Sequence, residues 1–339
     1  MEPSLPLGKL PPELLARLLA KAPINDPRVI YGPGIGMDCA VIDLGAQLLV
    51  FKSDPITFAT DDIGWYAVQV NANDVATTGA TPRWMLATLL LPEKQTTPGL
   101  VEQIFDQVAR AANDLGISLV GGHTEVTYGL NRPILIGTLI GEVQREQLIV
   151  PGNARPGDHL LLTKGVPIEG TALLAREFPD RLRPTFSEAE IKEAGDYLYT
   201  PGISVVRDAR IAAQAGRVTA MHDPTEGGLA SALWELAEAS GRCLWFEPEA
   251  VPVPPLARRI CNVFGLDPLA TIGSGALLMT ATSSDTPAIM AALQQAGIAC
   301  AQIGQVEAGP MGVWMPQGDQ RILLPRPQRD DITRVYESQ

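Results

Sequence analysis

The feature that most constrains the fold is a break in the chain's pattern. Pro151-Gly152-Asn153-Ala154-Arg155-Pro156-Gly157-Asp158 crowds proline and glycine into one short stretch. Neither a helix nor a central strand runs through such a sequence, because proline removes backbone donors and glycine gives up backbone order. The chain of 339 residues has room for about two domains at roughly 150 residues each. The break therefore predicts one domain over 1–152, a second over 153–325, and a polar tail over 326–339 whose order the sequence does not reveal.

On both sides of the break, strand and helix patterns alternate. Before it, Leu14, Leu15, Leu18 and Leu19 predict a helix over 11–22 with proline at its start. Strands are predicted from Met37 to Asp43, from Gln47 to Lys52 (ending in Ser53-Asp54), from Arg83 to Leu91 and from Ile134 to Val143. Helices are predicted over 62–79 and 99–115, and a short strand, Ile117 to Val120, runs into Gly121-Gly122-His123-Thr124-Glu125. After the break come strands over 159–163, 218–221 and 271–282, the last with Gly273-Ser274-Gly275 inside it. Helices follow over 168–178, 204–215, 228–240 and 287–296, and short strands run to about Leu324. Alternating elements with hairpin-like strand pairs predict an α+β class rather than a pure βαβ repeat. No internal repeat or low-complexity tract is visible.

Composition excludes several functions. Hydrophobic residues make up 46% and charged residues 19%, enough apolar surface to offset the entropy of ordering, so the chain is not a disordered one. Lys plus Arg number 26 against 38 Asp plus Glu, a net charge of −12. That charge repels nucleic acid and anionic membranes, yet excess carboxylates still suit Mg²⁺ and, through it, a phosphorylated ligand. Met1-Glu2-Pro3-Ser4 carries neither the basic nor the apolar part of a signal peptide. No apolar run approaches the ~18–20 residues of a membrane span. Cys39, Cys243, Cys261 and Cys300 form no close pair and read as reduced core thiols. The expectation is a cytoplasmic protein.

Familiar catalytic signatures are missing. There is no G-x-x-x-x-G-K-[ST] and no G-x-S-x-G, and Gly32-Pro33-Gly34-Ile35-Gly36 leads into a strand rather than a helix. The histidines His123, His159 and His222 are too dispersed for a zinc site. What stands out is acid at the ends of apolar segments: Asp38, Asp54, Asp74 and Asp223. Each reads either as a cap or turn residue or as an oxygen ligand for Mg²⁺ with room for substrate phosphates. Two glycine-rich junctions read in two ways as well. Gly121-Gly122-His123-Thr124 and His222-Asp223-Pro224-Thr225-Glu226-Gly227-Gly228 are either tight turns, the second with Asp223 or Thr225 capping a helix, or backbone cradles for phosphate. The residues alone leave both readings open.

In these same stretches the sequence resembles the aminoimidazole ribonucleotide (AIR) synthase related, PurM-like superfamily. The matching segments are Gly34-Ile35-Gly36-Met37-Asp38-Cys39-Ala40-Val41, Ser53-Asp54, Asn73-Asp74-Val75-Ala76-Thr77-Thr78-Gly79-Ala80 and Gly121-Gly122-His123-Thr124. Pro201-Gly202-Ile203-Ser204-Val205-Val206, His222 to Leu229 and Gly273-Ser274-Gly275-Ala276-Leu277-Leu278 follow in order. The resemblance implies a two-domain α+β fold, an N-terminal domain that pairs in a homodimer, and ATP with Mg²⁺ beside its acidic loops. It implies Asp38, Asp54 and Asp74 as metal ligands, and Asn73, Gly121, Gly122 and Thr124 as nucleotide-binding residues. Asp223, facing the cleft from the second domain, joins His123 and His222 as a candidate for catalysis. The implied chemistry is phosphorylation of an amide or carbonyl oxygen, with positioning and charge neutralisation as the catalytic means.

Within that superfamily the motifs Asp62-Ile63-Gly64, Asn73-Asp74 and Asp223-Pro224-Thr225-Glu226-Gly227-Gly228-Leu229 most resemble the hydrogenase maturation factor HypE. HypE proteins end in Pro-Arg-Ile-Cys, whereas this sequence ends Tyr336-Glu337-Ser338-Gln339 with Cys300 as its last cysteine. Met37 stands where relatives carry the first aspartate of a pair, and His123 where they carry an aspartate after the glycines. Two functions are therefore expected: an ATP-dependent enzyme acting on a small acceptor or a carrier protein, or a maturation partner that binds nucleotide with little turnover.

Overall fold

A computed structural model describes residues 5, 8, 10–34, 38–57, 59 and 61–337. Ile35, Gly36 and Met37 of the first acidic loop lie outside the described residues, as do Phe58, the opening Met1-Glu2-Pro3-Ser4 and the final Ser338-Gln339. By contact the chain divides into two units, one of Ile24–Gly32 and Asp38–Leu148, the other of Met1–Pro23, Pro33–Met37 and Ile149–Gln339. The opening segment, expected within the N-terminal domain, thus groups with the second unit. It carries α1 (Pro12–Leu19), which has proline in its first turn, where the missing N–H costs no hydrogen bond.

The unit of residues 24–148 is built from β1 (Val29–Tyr31), β2 (Ala40–Asp43), β3 (Leu48–Ile56), α2 (Ile63–Thr77), β4 (Thr81–Pro92), α3 (Pro98–Asp114), β5 (Ser118–Thr127) and β6 (Ile134–Val143). Among the described residues the strands form a six-stranded sheet in the order β1-β2-β3-β6-β4-β5. Only β4 and β5 run parallel. Along β6 burial alternates residue by residue, as expected of a strand with one face on a core. Two of its inward positions are Gly137 and Gly141, and the reason is α2. A Cβ on Gly141 would come within 2.3 Å of Val75, and one on Gly137 within 2.5 Å of Asn71. These glycines let α2 lie close against the sheet. That helix is buried on almost every side, the signature of a core helix rather than a surface one. By contrast α3 buries one stripe, Ile104, Val108, Ala111 and Ala112, and is capped by the Thr97 hydroxyl accepting from the Leu100 N–H at 3.2 Å.

The second unit continues with β7 (His159–Thr163), α4 (Ile168–Glu177), α5 (Pro179–Leu182), α6 (Glu188–Gly195), α7 (Val206–Ala215), β8 (Val218–His222) and α8 (Gly228–Ser240). After these come β9 (Cys243–Phe246), α9 (Pro255–Phe264), β10 (Leu278–Ala281), α10 (Thr286–Gln295), β11 (Cys300–Glu307), β12 (Gly312–Gln317), β13 (Gln320–Leu323) and α11 (Thr333–Glu337). Its seven strands follow the order β13-β12-β9-β11-β7-β10-β8 among the described residues. Leu229, Leu233 and Leu236 of α8 pack with Leu160, Leu162, Leu244, Phe246 and Leu278 in one buried cluster. Each such side chain contributes about 1.5–3 kcal/mol on burial.

The expected α+β class is observed, with differences of detail. The strand expected over Thr271 to Thr282 shrinks to β10, because Gly275 adopts φ +111° where a Cβ would meet the Gly202 carbonyl at 2.9 Å. The helices α6, with its Ser187–Glu190 capping box, and α9 were not anticipated. The stretch after Pro325 carries α11, and Ile332, Thr333 and Val335 are buried. Among the described residues no helix is long and apolar enough to cross a membrane.

Candidate functional site

The acidic residues of the first unit owe their meeting to strand periodicity. Inward positions along β3 are Leu48, Val50, Lys52, Asp54 and Ile56, so the alternation that buries the apolar residues also turns Lys52 and Asp54 toward the core side. Asp74 comes from the last turn of α2, the helix packed on that face. The Lys52 ammonium lies 3.1 Å from Asp54 Oδ2 and 3.1 Å from Asp74 Oδ2, with Lys52 and Asp74 almost fully buried. Asn71, one turn before Asp74, accepts the Asp54 backbone N–H on Oδ1 at 3.0 Å and donates from Nδ2 to the Ala67 carbonyl at 2.8 Å. The helix therefore sets where Asp54 sits.

Electrostatics in this cluster is dominated by burial. Loss of hydration raises the Asp74 carboxyl to about 7, with Lys52 opposing that rise and Asp38 and Asp54 adding to it. For Lys52 burial pulls the pKa down, but Asp74, Asp38 and Asp54 together outweigh it and hold the ammonium well above its usual range. Asp38, Asp54 and Asp74 are thus brought within electrostatic reach of one lysine. That lysine was missed in the sequence. The signal that could have found it is the period-two run Leu48, Val50, Lys52, Asp54, in which a charge takes a core-facing place. Asn73 is buried on α2.

The first glycine-rich junction is not a loop. Gly121-Gly122-His123-Thr124 lies within β5, an edge strand paired on one side with β4. Gly122 has φ +146°, and a Cβ there would stand 1.9 Å from the Ala87 carbonyl oxygen. Close backbone approach is what requires the glycine. Register pairs Asp54 with Gly137, Gly137 with Ala87 and Ala87 with Gly122. Asp54 and Gly122 thus share one row of the sheet, three spacings or roughly 14 Å apart at about 4.8 Å each. His123 is exposed and pairs with Glu125 at 3.1 Å.

The second junction links β8 to α8 in the other unit. His222 is buried with its Nε2 2.7 Å from Glu235 Oε2, and Asp223 beside it is fully buried. The N-cap position of α8 is Gly227, which has no side chain to cap with. The Gly227 N–H donates instead to Asp330 Oδ2 at 2.6 Å. Gly228, Ala230 and Ser231 donate to the carbonyls of Thr225, Leu269 and Gly227 at 3.0, 2.9 and 3.1 Å. Four amides at this helix start, those of Gly227, Gly228, Ala230 and Ser231, are thus engaged within the fold. Burial raises Asp330 to about 7, and Glu169, hydrogen-bonded to Ser274, to about 7 as well.

The donor chemistry of the first unit fits a hard divalent cation. Asp54 and Asp74 flank a single ammonium with Asp38 in electrostatic reach, and carboxylate oxygens are the ligands Mg²⁺ prefers. Asp38, Asp54 and Asp74 are the residues that could hold it.

Comparison with known proteins gives a consistent pattern. The model of the AIR synthase related protein, N-terminal domain, matches residues 36–143, and that of the C-terminal domain matches 155–315. A hydrogenase expression/formation protein of Methanocaldococcus jannaschii is 29% identical over 340 residues, 97% of either chain. Carbamoyl dehydratase HypE of Rhodobacter capsulatus is 30% identical over 264 residues, covering 76% of this chain and 74% of its own. The crystal structure of hydrogenase maturation protein HypE in complex with ATP superposes with a TM-score of 0.69 at 26% identity, over 91% of this chain and 92% of that one.

Proposed function

Because this chain belongs to the AIR synthase related family, with its two-domain PurM-like fold, we propose that it is a Mg²⁺-dependent enzyme that uses ATP to phosphorylate an amide or carbonyl oxygen. The observation that carries this reading is the convergence of Asp38, Asp54 and Asp74 around Lys52, inside the segment that the family model matches. The acceptor oxygen attacks the γ-phosphorus, ADP departs, and the phosphorylated oxygen becomes a leaving group. Such chemistry asks the protein for alignment and charge compensation rather than a nucleophile. A bound Mg²⁺ would neutralise phosphate charge. The three aspartates would hold it, with Asn73 and the β5 residues Gly121, Gly122 and Thr124 serving the nucleotide. His123, His222 and Asp223 are proposed to act on the acceptor, a small molecule or a group on a carrier protein. Asp54→Asn and Asp74→Asn test the assignment: each should abolish the dependence of ATP affinity on Mg²⁺, and an affinity in Mg²⁺ equal to the wild type would refute it.

A homodimer through the first unit is part of this proposal. β5 is an edge strand with Leu119, Val120 and Val126 exposed. Beside it, Phe105 and Val108 of α3 help line a cavity of about 460 Å³. An apolar edge of this kind is an invitation to pair with another chain.

A second reading, a maturation partner that binds nucleotide with little turnover, draws on the cysteines. Cys39, Cys243 and Cys261 are buried, and burial pushes the thiols of Cys261 and Cys300 up to about 12. Those two thiols are poor carriers for a transferred group, since the thiolate is the reactive form. Slow ATP loss that no added acceptor accelerates would favour this second reading.

A further inference from the structure

Lys52 is an expensive residue for its position. A leucine or methionine there would extend the run of Leu48 and Val50 on the inner face of β3, and a buried ion pair is generally no more stabilising than such packing. Fold stability alone therefore does not account for a buried ammonium between two carboxylates. Its geometry does suggest a role. The ammonium stands 3.1 Å from one oxygen each of Asp54 and Asp74, in the position where a cation bridging those two side chains would sit. Asp74 comes from α2 and Asp54 from β3, and Asn71 fixes their relative placement, so the ammonium fills a gap that the fold holds in place.

We propose that Lys52 is a resident cation of this site, occupying the bridging position between Asp54 and Asp74 so that the cluster takes up one divalent ion per chain, next to Asp38, rather than two. This inference rests on the reading of the cluster as a metal–nucleotide site. Charge supports it: the ammonium cancels one negative charge of the cluster, and without it the vacated bridge draws a second ion. The ammonium thus sets the metal count of the site and contributes positive charge that does not depend on metal supply.

Mn²⁺ serves as the probe, because it takes the same oxygen ligands as Mg²⁺ and its free form is counted by electron paramagnetic resonance. The nucleotide-free full chain is titrated as the wild type, Lys52→Gln and Lys52→Arg. The wild type and Lys52→Arg should bind one ion. Lys52→Gln should bind a second ion or hold the first at least tenfold more tightly. Identical titrations of wild type and Lys52→Gln would overturn the inference while leaving the metal site intact. No Mn²⁺ uptake by any of the three, alone or with ATP, would overturn the site reading as well. Should Lys52→Gln fail to fold, the wild type decides by itself: one ion supports the inference, and two contradict it.

Discussion

Asn71 on α2 accepts the backbone N–H of Asp54 on β3 at 3.0 Å, and that one bond ties the helix carrying Asp74 to the strand carrying Lys52 and Asp54. Gly137 gives the Asn71 amide its space, since a Cβ there would sit 2.5 Å from Nδ2. Asn71→Ala leaves the Asp54 amide without its acceptor and should cost about 1–3 kcal/mol. Gly137→Ala overpacks the same contact and should cost a similar ~1–3 kcal/mol. Urea unfolding reads both costs. Each variant should also weaken Mg²⁺-dependent ATP binding by about tenfold, equivalent to about 1.4 kcal/mol, and unaltered affinity in both would show that this bond does not set the site.

Stability should fall as the pH rises through neutrality. Burial raises Glu169 from 4.5 to about 7 and Asp330 from 3.8 to about 7. The folded state therefore holds these protons more tightly than the unfolded chain. The stabilisation they provide is complete below the unfolded values and is lost as pH climbs through about 7. Urea midpoints measured from pH 5 to 8 should decline, and Glu169→Gln, which cannot titrate, should flatten the slope. A wild-type slope unchanged by this substitution would contradict the assignment.

Asp330 also serves α8 directly, as the acceptor for the Gly227 N–H at 2.6 Å. Asp330→Ala removes a side-chain acceptor at that end of the helix. The expected loss is about 1 kcal/mol, as for other N-terminal caps, read as a lower urea midpoint at pH 6. A midpoint equal to the wild type would mean that water replaces the carboxylate at no cost.

The proposed dimer places β5 in the interface. Val120→Glu puts a charge on an exposed apolar position of the edge strand, a device that blocks strand pairing. Sedimentation velocity should find the wild type as a dimer and the variant as a monomer of unchanged secondary structure. A monomeric wild type would refute the interface.

Much of this architecture was legible in the sequence. The runs at β6, β7 and α8 were read at their observed bounds, because their apolar period of two or 3.6 is unbroken and turn residues flank them. At β5 the reading failed for a physical reason: glycines ordinarily punctuate, but here they lie inside a strand whose backbone approaches Ala87 too closely for a side chain. The aspartates were legible as a group through their motifs, whereas Lys52 was not, since a lysine in a strand is normally solvated and only its parity with Leu48 and Val50 marks it as inward. The contact of Asp330 with Gly227 spans 103 positions, a separation that no local pattern reports.

Calorimetric titration of the purified chain with ATP, with and without Mg²⁺, tests the central claim most directly. Micromolar binding that requires the metal is the predicted result. ATP binding that is absent, or indifferent to Mg²⁺, would contradict the proposal that Asp38, Asp54 and Asp74 form a metal–nucleotide site.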